Sequence, residues 1–318
     1  MFQSDTELLI LGAGPAGLTA AQYGARANLK VLVVEQLAPG GQALLIDRLE
    51  NYPGNVPGAG GEVKSGFDFA QDLRRQAEAF GAQCMIEAVV SLQKEGTRFR
   101  AVLGNGKTLS APAVIIATGA KHRTLDIPGE EQFSGRGVSY CASCDGPFFK
   151  GKKILVVGGG DAACDEAQYL SRLSETIILI HRRDRFRAQK ALAERTLNNP
   201  HIAVRFNTRV REIRGTTRVA SAVLERTDTG ETYEEEIGAV FVFAGTIPQS
   251  AFVSGVRTDE NGYIITDQTM AASLPGLFAA GDVRASPFRQ VVIAAGEGAV
   301  AAHSAAAYID ALKGEIYR

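Results

Sequence analysis

Cys141 and Cys144, in the run Cys141-Ala142-Ser143-Cys144-Asp145, are the residues of this chain best suited to chemistry. Two residues between cysteines fits a disulfide that is made and broken, or half of a tetrahedral zinc site. Zinc needs two further ligands, and the remaining candidates are the single Cys84 and Cys164 and the scattered His122, His181, His201 and His303. The pattern favours a redox pair over zinc or over two inert buried thiols, and no metal is expected. Asp145, next to the pair, could take up or give the proton that dithiol chemistry moves; a turn or cap aspartate is the alternative. Cys84, before an apolar strand, and Cys164, among small helical residues, read as core cysteines.

A disulfide that turns over needs electrons, and two glycine loops point to their carriers. The first is Gly12-x-Gly14-x-x-Gly17, with Pro15 and Ala16 inside it, between the apolar run 7–11 and a helix-forming stretch to about Arg26. There the first glycine permits a tight turn, the second admits a pyrophosphate, and the third lets helix and strand pack closely. The helix N-terminus adds unpaired N–H groups and partial positive charge. Glu35 ends the next strand, 31–34, where a carboxylate can accept hydrogen bonds from an adenosine ribose. The second loop is Gly158-x-Gly160-x-x-Ala163, with Asp161 and Ala162, between strand 154–157 and a helix running to about Leu173. Its second strand, 176–180, ends in His181-Arg182-Arg183, with Arg187 close behind. A carboxylate at that place would repel a 2′-phosphate, whereas guanidinium groups bind one through charge-assisted hydrogen bonds. From first glycine to the end of the second strand is 23 residues in both copies, Gly12 to Glu35 and Gly158 to His181. Two βαβ units, hence two dinucleotide sites, are the natural inference.

The elements that must carry these loops are legible around them. Runs 114–119, 241–245 and 277–280 read as buried strands ending in glycine, and a small-residue helix is expected from about Arg289 to Leu312. Asp282, just after a buried strand, is a ligand candidate at a sheet's carboxyl end. The fold class is therefore α/β, with two Rossmann-like domains, one inserted in the other: 1–121 with 248–318, and 122–247. With 318 residues the chain has room for two cores. A net charge of -1 and 22% charged residues give no sign of nucleic acid. The basic cluster at 181–187 is too short for that role, and Arg205, Arg209, Arg211, Arg214 and Arg218 read as a solvent face. Leu8 to Leu11 is too short to span a membrane, and Asp5 and Glu7 contradict a secretory signal, so no membrane and a cytoplasmic location are expected.

Several motifs occur together and in order: GAGPAGLTAAQYGARANLKVLVVE, GGQ at 40–42, ENYPG at 50–54, ATGA at 117–120, CASCDGPFF, HRRDRFRA and LFAAGDVR. In these the chain resembles the small, bacterial-type NADPH-dependent thioredoxin reductases of the pyridine nucleotide-disulfide oxidoreductases, over almost its whole length. The resemblance implies three-layer ββα domains, FAD on the outer one and NADPH on the inserted one, and reduction of a thioredoxin or thioredoxin-like protein by a homodimer. It implies that Gly41, Gln42, Asn51, Ala117, Thr118 and Gly119 lie at the flavin. It also places Gly281-Asp282 at the ribitol and begins a helix beside the ring with Arg289-Gln290-Val291. Cys144 would face the flavin, Cys141 would exchange with substrate, and Asp145 would be the acid/base. Because nucleotide motif and cysteine pair share the inserted domain, that domain is expected to turn between tasks, about 121–124 and 245–249. The stretch 53–61, PGNVPGAGG, is longer than the family's loop. Alternatives are a flavoprotein of a peroxide-reducing system, a ferredoxin-linked reductase, a small-molecule dithiol oxidase, or a flavin redox sensor without turnover. The intact HRRDRFRA run argues against versions that bind no nucleotide.

Overall fold

Strands Leu8–Leu11, Ala113–Ile116 and Ile177–Ile180 are apolar and buried at every residue, which suits a parallel sheet covered on both faces. The computed structural model describes residues 6–46, 49, 51–56, 58 and 62–315, in two units. One comprises the chain up to Lys121 together with the chain from Ile247, and the other is His122–Thr246. The first unit is built on five parallel strands in the order Leu277–Ala279, Ala113–Ile116, Leu8–Leu11, Val31–Glu35 and Gln83–Ile86. The second repeats the plan with Ile202–Arg205, Ile177–Ile180, Ile154–Gly158, Ala239–Phe243 and Val138–Ser139. Each unit is α/β in three layers. In the first, alternate residues Leu8 and Ile10 face helices Pro15–Arg26, Gly66–Ala79 and Val291–Lys313. Leu9 and Leu11 face an antiparallel sheet of Val89–Glu95, Arg98–Leu103 and Thr108–Ala111. In the second, Ile154 and Val156 pack on helices Asp161–Leu170 and Lys190–Leu197, while Leu155 faces the antiparallel sheet Thr208–Gly215, Val219–Arg226 and Thr232–Glu236.

The structure corrects several details. The last helix starts at Val291, so Arg289 and Gln290 precede it; Gln290 is the cap residue and takes the extended conformation that a cap requires. The helix after the second loop stops at Leu170, where Ser171 Oγ donates to the Gln168 carbonyl and competes with the helical pattern. Cys84 lies within strand Gln83–Ile86. The dispersed arginines do form a solvent face, and most are paired on it: Arg209 and Arg211 reach Glu225 at 2.7 and 3.0 Å, Arg205 reaches Glu235 at 2.6 Å, and Arg214 reaches Glu212 at 2.7 Å. Their rows tie the antiparallel sheet of the second unit together.

Where the chain passes between units, Ala120–His122 and Thr246–Pro248 pair as a two-stranded ribbon. Just beyond it, buried Glu130 accepts the Leu125 N–H at 2.8 Å, the Asp126 N–H at 2.8 Å and the Tyr140 hydroxyl at 2.8 Å. Asp126 sits at a φ of 55°, a conformation this carboxylate secures. Burial, then the Glu130 hydrogen bond, drives the Tyr140 hydroxyl well above its usual pKa. Glu130→Ala would strand three donors and is expected to cost about 3 kcal/mol or more. Denaturant unfolding of the protein checks this, and a loss below about 1 kcal/mol would contradict it.

Candidate active site

In the first unit the glycine loop has the shape its sequence demands. A Cβ on Gly12 would lie 2.3 Å from the Ala117 carbonyl oxygen, and one on Gly17 would lie 1.9 Å from the Gly12 carbonyl oxygen. Gly14 is different: nothing stands within 4 Å of its missing Cβ, and it caps helix Pro15–Arg26 without any side-chain hydrogen bond. The helix N-terminus thus presents free N–H groups to open space, which is what an incoming pyrophosphate requires. Glu35 accepts the Ala13 N–H at 2.8 Å and the Leu37 N–H at 3.1 Å, which fixes its carboxylate beside the loop and leaves acceptor capacity over.

The other expected residues of this unit gather on the same loop. Gly41 lies against Gly14, so that a Cβ on it would stand 3.1 Å from the Gly14 Cα, while the Gly40 N–H donates to the Ala13 carbonyl at 2.7 Å. Gln42 Nε2 donates to the Ala120 carbonyl, so the 40–42 turn is tied to the 117–120 strand end. Thr118 Oγ1 donates to the Gln249 carbonyl at 2.6 Å, and Gly119 takes a φ of 66°. Asn51 Nδ2 donates to Gln290 Oε1 at 2.9 Å, linking two segments 239 residues apart. Asp282 follows Gly281, which approaches Ala16 Cβ. Burial pushes the Asp282 carboxyl up, Arg289 opposes this, and Glu297 adds to it. Arg289 stacks on Tyr263, 4.1 Å from the ring centroid. Glu50 and residues 57 and 59–61 of the long loop lie outside the described residues.

The second loop repeats the arrangement. Gly160 caps helix Asp161–Leu170, again without a side-chain cap and again with nothing within 4 Å of its missing Cβ. Gly158 packs against Ala163 and the Phe243 carbonyl, each 2.6 Å from where a Cβ would be. Asp161 Oδ1 accepts the Gln189 N–H at 2.7 Å, which draws the basic segment over the loop, and the Arg187 N–H donates to the Gly159 carbonyl at 2.7 Å. His181 is buried against Gly159; burial first, then Arg187, Arg183 and Arg182, lowers its pKa. The imidazole is therefore neutral at physiological pH, and packs rather than adding charge. Arg182, Arg183 and Arg187 are exposed and make no ion pair among the described residues. They are free to meet a phosphate.

The cysteine motif packs against the helix that this loop opens. Residues Ala142–Asp145 form a short helical turn, and buried Ala142 packs among Ala163, Ala167 and Leu170 of helix Asp161–Leu170. Gly146 keeps this contact close, since a Cβ there would lie 3.0 Å from Leu170. Ser139 Oγ accepts the Cys141 N–H at 3.1 Å and donates to the Cys141 carbonyl at 3.2 Å, fixing the backbone of the first cysteine. Cys141 is disulfide-bonded, whereas Cys84 and Cys164 are free. The side chain of Cys144 lies outside the described ones. Cys164 is fully buried, and burial raises its thiol to about 11; half-buried Cys84 is raised for the same reason. Neither is a nucleophile at neutral pH. Half-buried Glu166, one turn along the helix, is pushed up to about 7 by burial, with Asp165 adding to it. Among the described residues no group of His, Cys, Asp and Glu side chains could hold a metal ion.

The pyridine nucleotide-disulphide oxidoreductase family model matches residues 6–298. The chain belongs to that family. A thioredoxin reductase of Treponema pallidum is 54% identical over 311 residues, spanning 98% of this chain and 99% of the relative. One from Listeria innocua is 43% identical, over 96% of this chain and 95% of the relative. Among solved structures, the Lactococcus lactis thioredoxin reductase (FR conformation) superposes with a TM-score of 0.89 at 40% identity, covering 96% of this chain and 99% of that one. The enzyme from T. acidophilum gives a TM-score of 0.87 at 33% identity, over 97% of this chain and 99% of that one. Family membership accounts for two like units in one chain, each with a glycine loop at the carboxyl ends of its strands. The side chains that sequence reasoning misses in this member are Ser139, Glu130, Arg284 and Glu297, which hold backbone in place. For Glu297 a signal exists: it is the one charge in the alanine- and glycine-rich first half of the last helix, and such a charge, when buried, needs a partner.

Proposed function

We propose that this chain is an NADPH-dependent thioredoxin reductase: NADPH and a proton are consumed, the disulfide of a thioredoxin-like protein becomes a dithiol, and NADP⁺ is released. The observation that carries this reading is that the turn of the cysteine motif packs, through Ala142, against helix Asp161–Leu170, which the open, arginine-flanked second loop begins, while the other unit offers a second open loop beside a carboxylate. Gly12, Gly14, Pro15, Ala16, Gly17 and Glu35 hold the adenosine and pyrophosphate of FAD; Gly41, Gln42, Asn51, Ala117, Thr118 and Gly119 line its flavin half. Gly281 and Asp282 take the ribitol, and Arg289, Gln290 and Val291 bring a helix start to the ring. FAD, when bound, accepts a hydride from the nicotinamide and passes two electrons on to a disulfide.

Gly158, Gly160, Asp161, Ala162 and Ala163 receive the NADPH pyrophosphate, with buried His181 packing the loop and Arg182, Arg183 and Arg187 clamping the 2′-phosphate. Cys144 would be the cysteine turned to the flavin, and Asp145 would hold the proton that the dithiol takes up and gives back. The Cys141 thiolate then attacks the substrate disulfide, forming a mixed disulfide that Cys144 resolves, which restores the Cys141–Cys144 bond and leaves the substrate a dithiol. A homodimer working in the cytoplasm completes the reading. The purified protein should be yellow and carry about one FAD per chain. Absorbance at the flavin maximum after gel filtration measures this, and a folded, colourless protein that takes up no FAD would overturn the reading.

A further inference from the structure

Helix Val291–Lys313 carries one buried carboxylate, Glu297, in a stretch otherwise made of alanine, glycine and valine. Its two oxygens are both engaged. Glu297 Oε2 accepts the Gly281 N–H at 2.8 Å, and Oε1 takes a charge-assisted hydrogen bond from Arg284 Nη1. Arg284 is nearly as buried, and its Nε donates to Thr266 Oγ1 at 2.9 Å. The place of the first bond is telling. The Ala280 N–H still donates into the sheet, to the Ile116 carbonyl at 3.0 Å, but at Gly281 the chain turns away with a φ of 75°. The Gly281 N–H is therefore the first the sheet cannot satisfy, and Glu297 catches it. Asp282 is the next residue.

The neighbouring residue on the helix completes the arrangement. Gly298 lets the Ala16 carbonyl oxygen come so close that a Cβ would stand 2.1 Å from it. One helical turn thus grips both the Asp282 turn and the helix that the first glycine loop opens. We propose that Glu297 is a positioning residue for the flavin: with Arg284 it fixes the turn that presents Asp282, and through Gly298 the same turn is registered on the phosphate-binding loop. This rests on the assignment of the FAD site above. The pair is not needed as an ion pair alone, because two apolar side chains of similar volume can replace a buried pair without loss of stability. What cannot be replaced that way is the acceptor for the Gly281 N–H.

The test measures FAD release from the full-length holoprotein on dilution, by flavin fluorescence, beside thermal unfolding of the same chain stripped of flavin. Asp282→Ala and Glu297→Ala should each weaken FAD binding about tenfold to a hundredfold, the cost of one stranded buried polar group. Glu297→Gln should stay within about threefold of the parent, since the amide oxygen still accepts from Gly281. The double variant Arg284→Met/Glu297→Met should unfold only modestly below the parent, by the cost of the one stranded Gly281 N–H, yet lose as much FAD affinity as Glu297→Ala, and with the Gln variant it carries the test should Glu297→Ala fail to fold. A double variant that binds FAD like the parent would make the pair merely structural and overturn the proposal. If Asp282→Ala binds FAD normally, the flavin-site assignment itself fails and the proposal falls with it; weakening by Asp282→Ala alone removes only the role of Glu297.

Discussion

Replacing either Cys141 or Cys144 by serine is expected to lower turnover of a thioredoxin by on the order of a thousandfold or more, as loss of an essential nucleophile does. Reduction of the bound flavin by NADPH should survive, because hydride transfer precedes disulfide chemistry and uses the second glycine loop rather than the cysteines. The serine hydroxyl can neither hold two electrons in a bond to sulfur nor attack a disulfide at neutral pH. The two free cysteines serve as internal controls. Cys164 is buried with a thiol raised to about 11, and Cys84 is half-buried in a strand. Cys164→Ser and Cys84→Ser should leave turnover within about twofold, since neither supplies a thiolate. Stopped-flow flavin reduction and steady-state thioredoxin reduction on all four variants separate the half-reactions. Near-normal turnover in a Cys141 or Cys144 variant would remove the redox pair from the mechanism.

Neutralising Arg182, Arg183 and Arg187 together should collapse the preference for NADPH over NADH by on the order of a hundredfold or more. Each charge-assisted hydrogen bond to a phosphate contributes roughly 1.5–3 kcal/mol, and the 2′-phosphate is the one group that separates the two nucleotides. These side chains are exposed and make no ion pair among the described residues, so their removal should not unsettle the fold. His181 stands apart from them: it is buried against Gly159 with its pKa lowered, so it shapes the loop without adding charge. Specificity constants for both nucleotides in the triple variant decide the matter. An unchanged ratio would move the phosphate site elsewhere.

Much of this was legible in the chain because apolar parallel strands and glycine loops are local signals. Leu8–Leu11 and Ile177–Ile180 show no polar alternation, and the strand, loop and helix around Gly14 and Gly160 lie within about one βαβ unit of sequence. What escaped were contacts between distant segments. Asn51 and Gln290 are 239 residues apart, and Gln42 and Ala120 are 78 apart; their pairing exists only once the sheet is assembled. The buried carboxylates Glu130 and Glu297 escaped for another reason. Each accepts from backbone N–H groups, which every residue carries and no motif marks, beside one side-chain partner, Tyr140 for Glu130 and Arg284 for Glu297. The last helix starts two residues later than its composition suggests because Gln290 caps it in an extended conformation, and glutamine is not a residue type that marks a cap in sequence. The arginines of the antiparallel sheet face solvent as their dispersed pattern suggests, and what the pattern does not carry is their glutamate partners on neighbouring strands.

On the proposed function, electrons pass from NADPH through the flavin to Cys141 and Cys144 and then to a thioredoxin disulfide. One anaerobic titration follows that whole path: the oxidised protein is mixed with a slight excess of NADPH, the flavin absorbance is recorded, and oxidised thioredoxin is then added. The flavin should bleach with NADPH and recover as thioredoxin is added, with one dithiol formed for each NADPH consumed. A flavin that bleaches but stays bleached when oxidised thioredoxin is supplied would contradict the account.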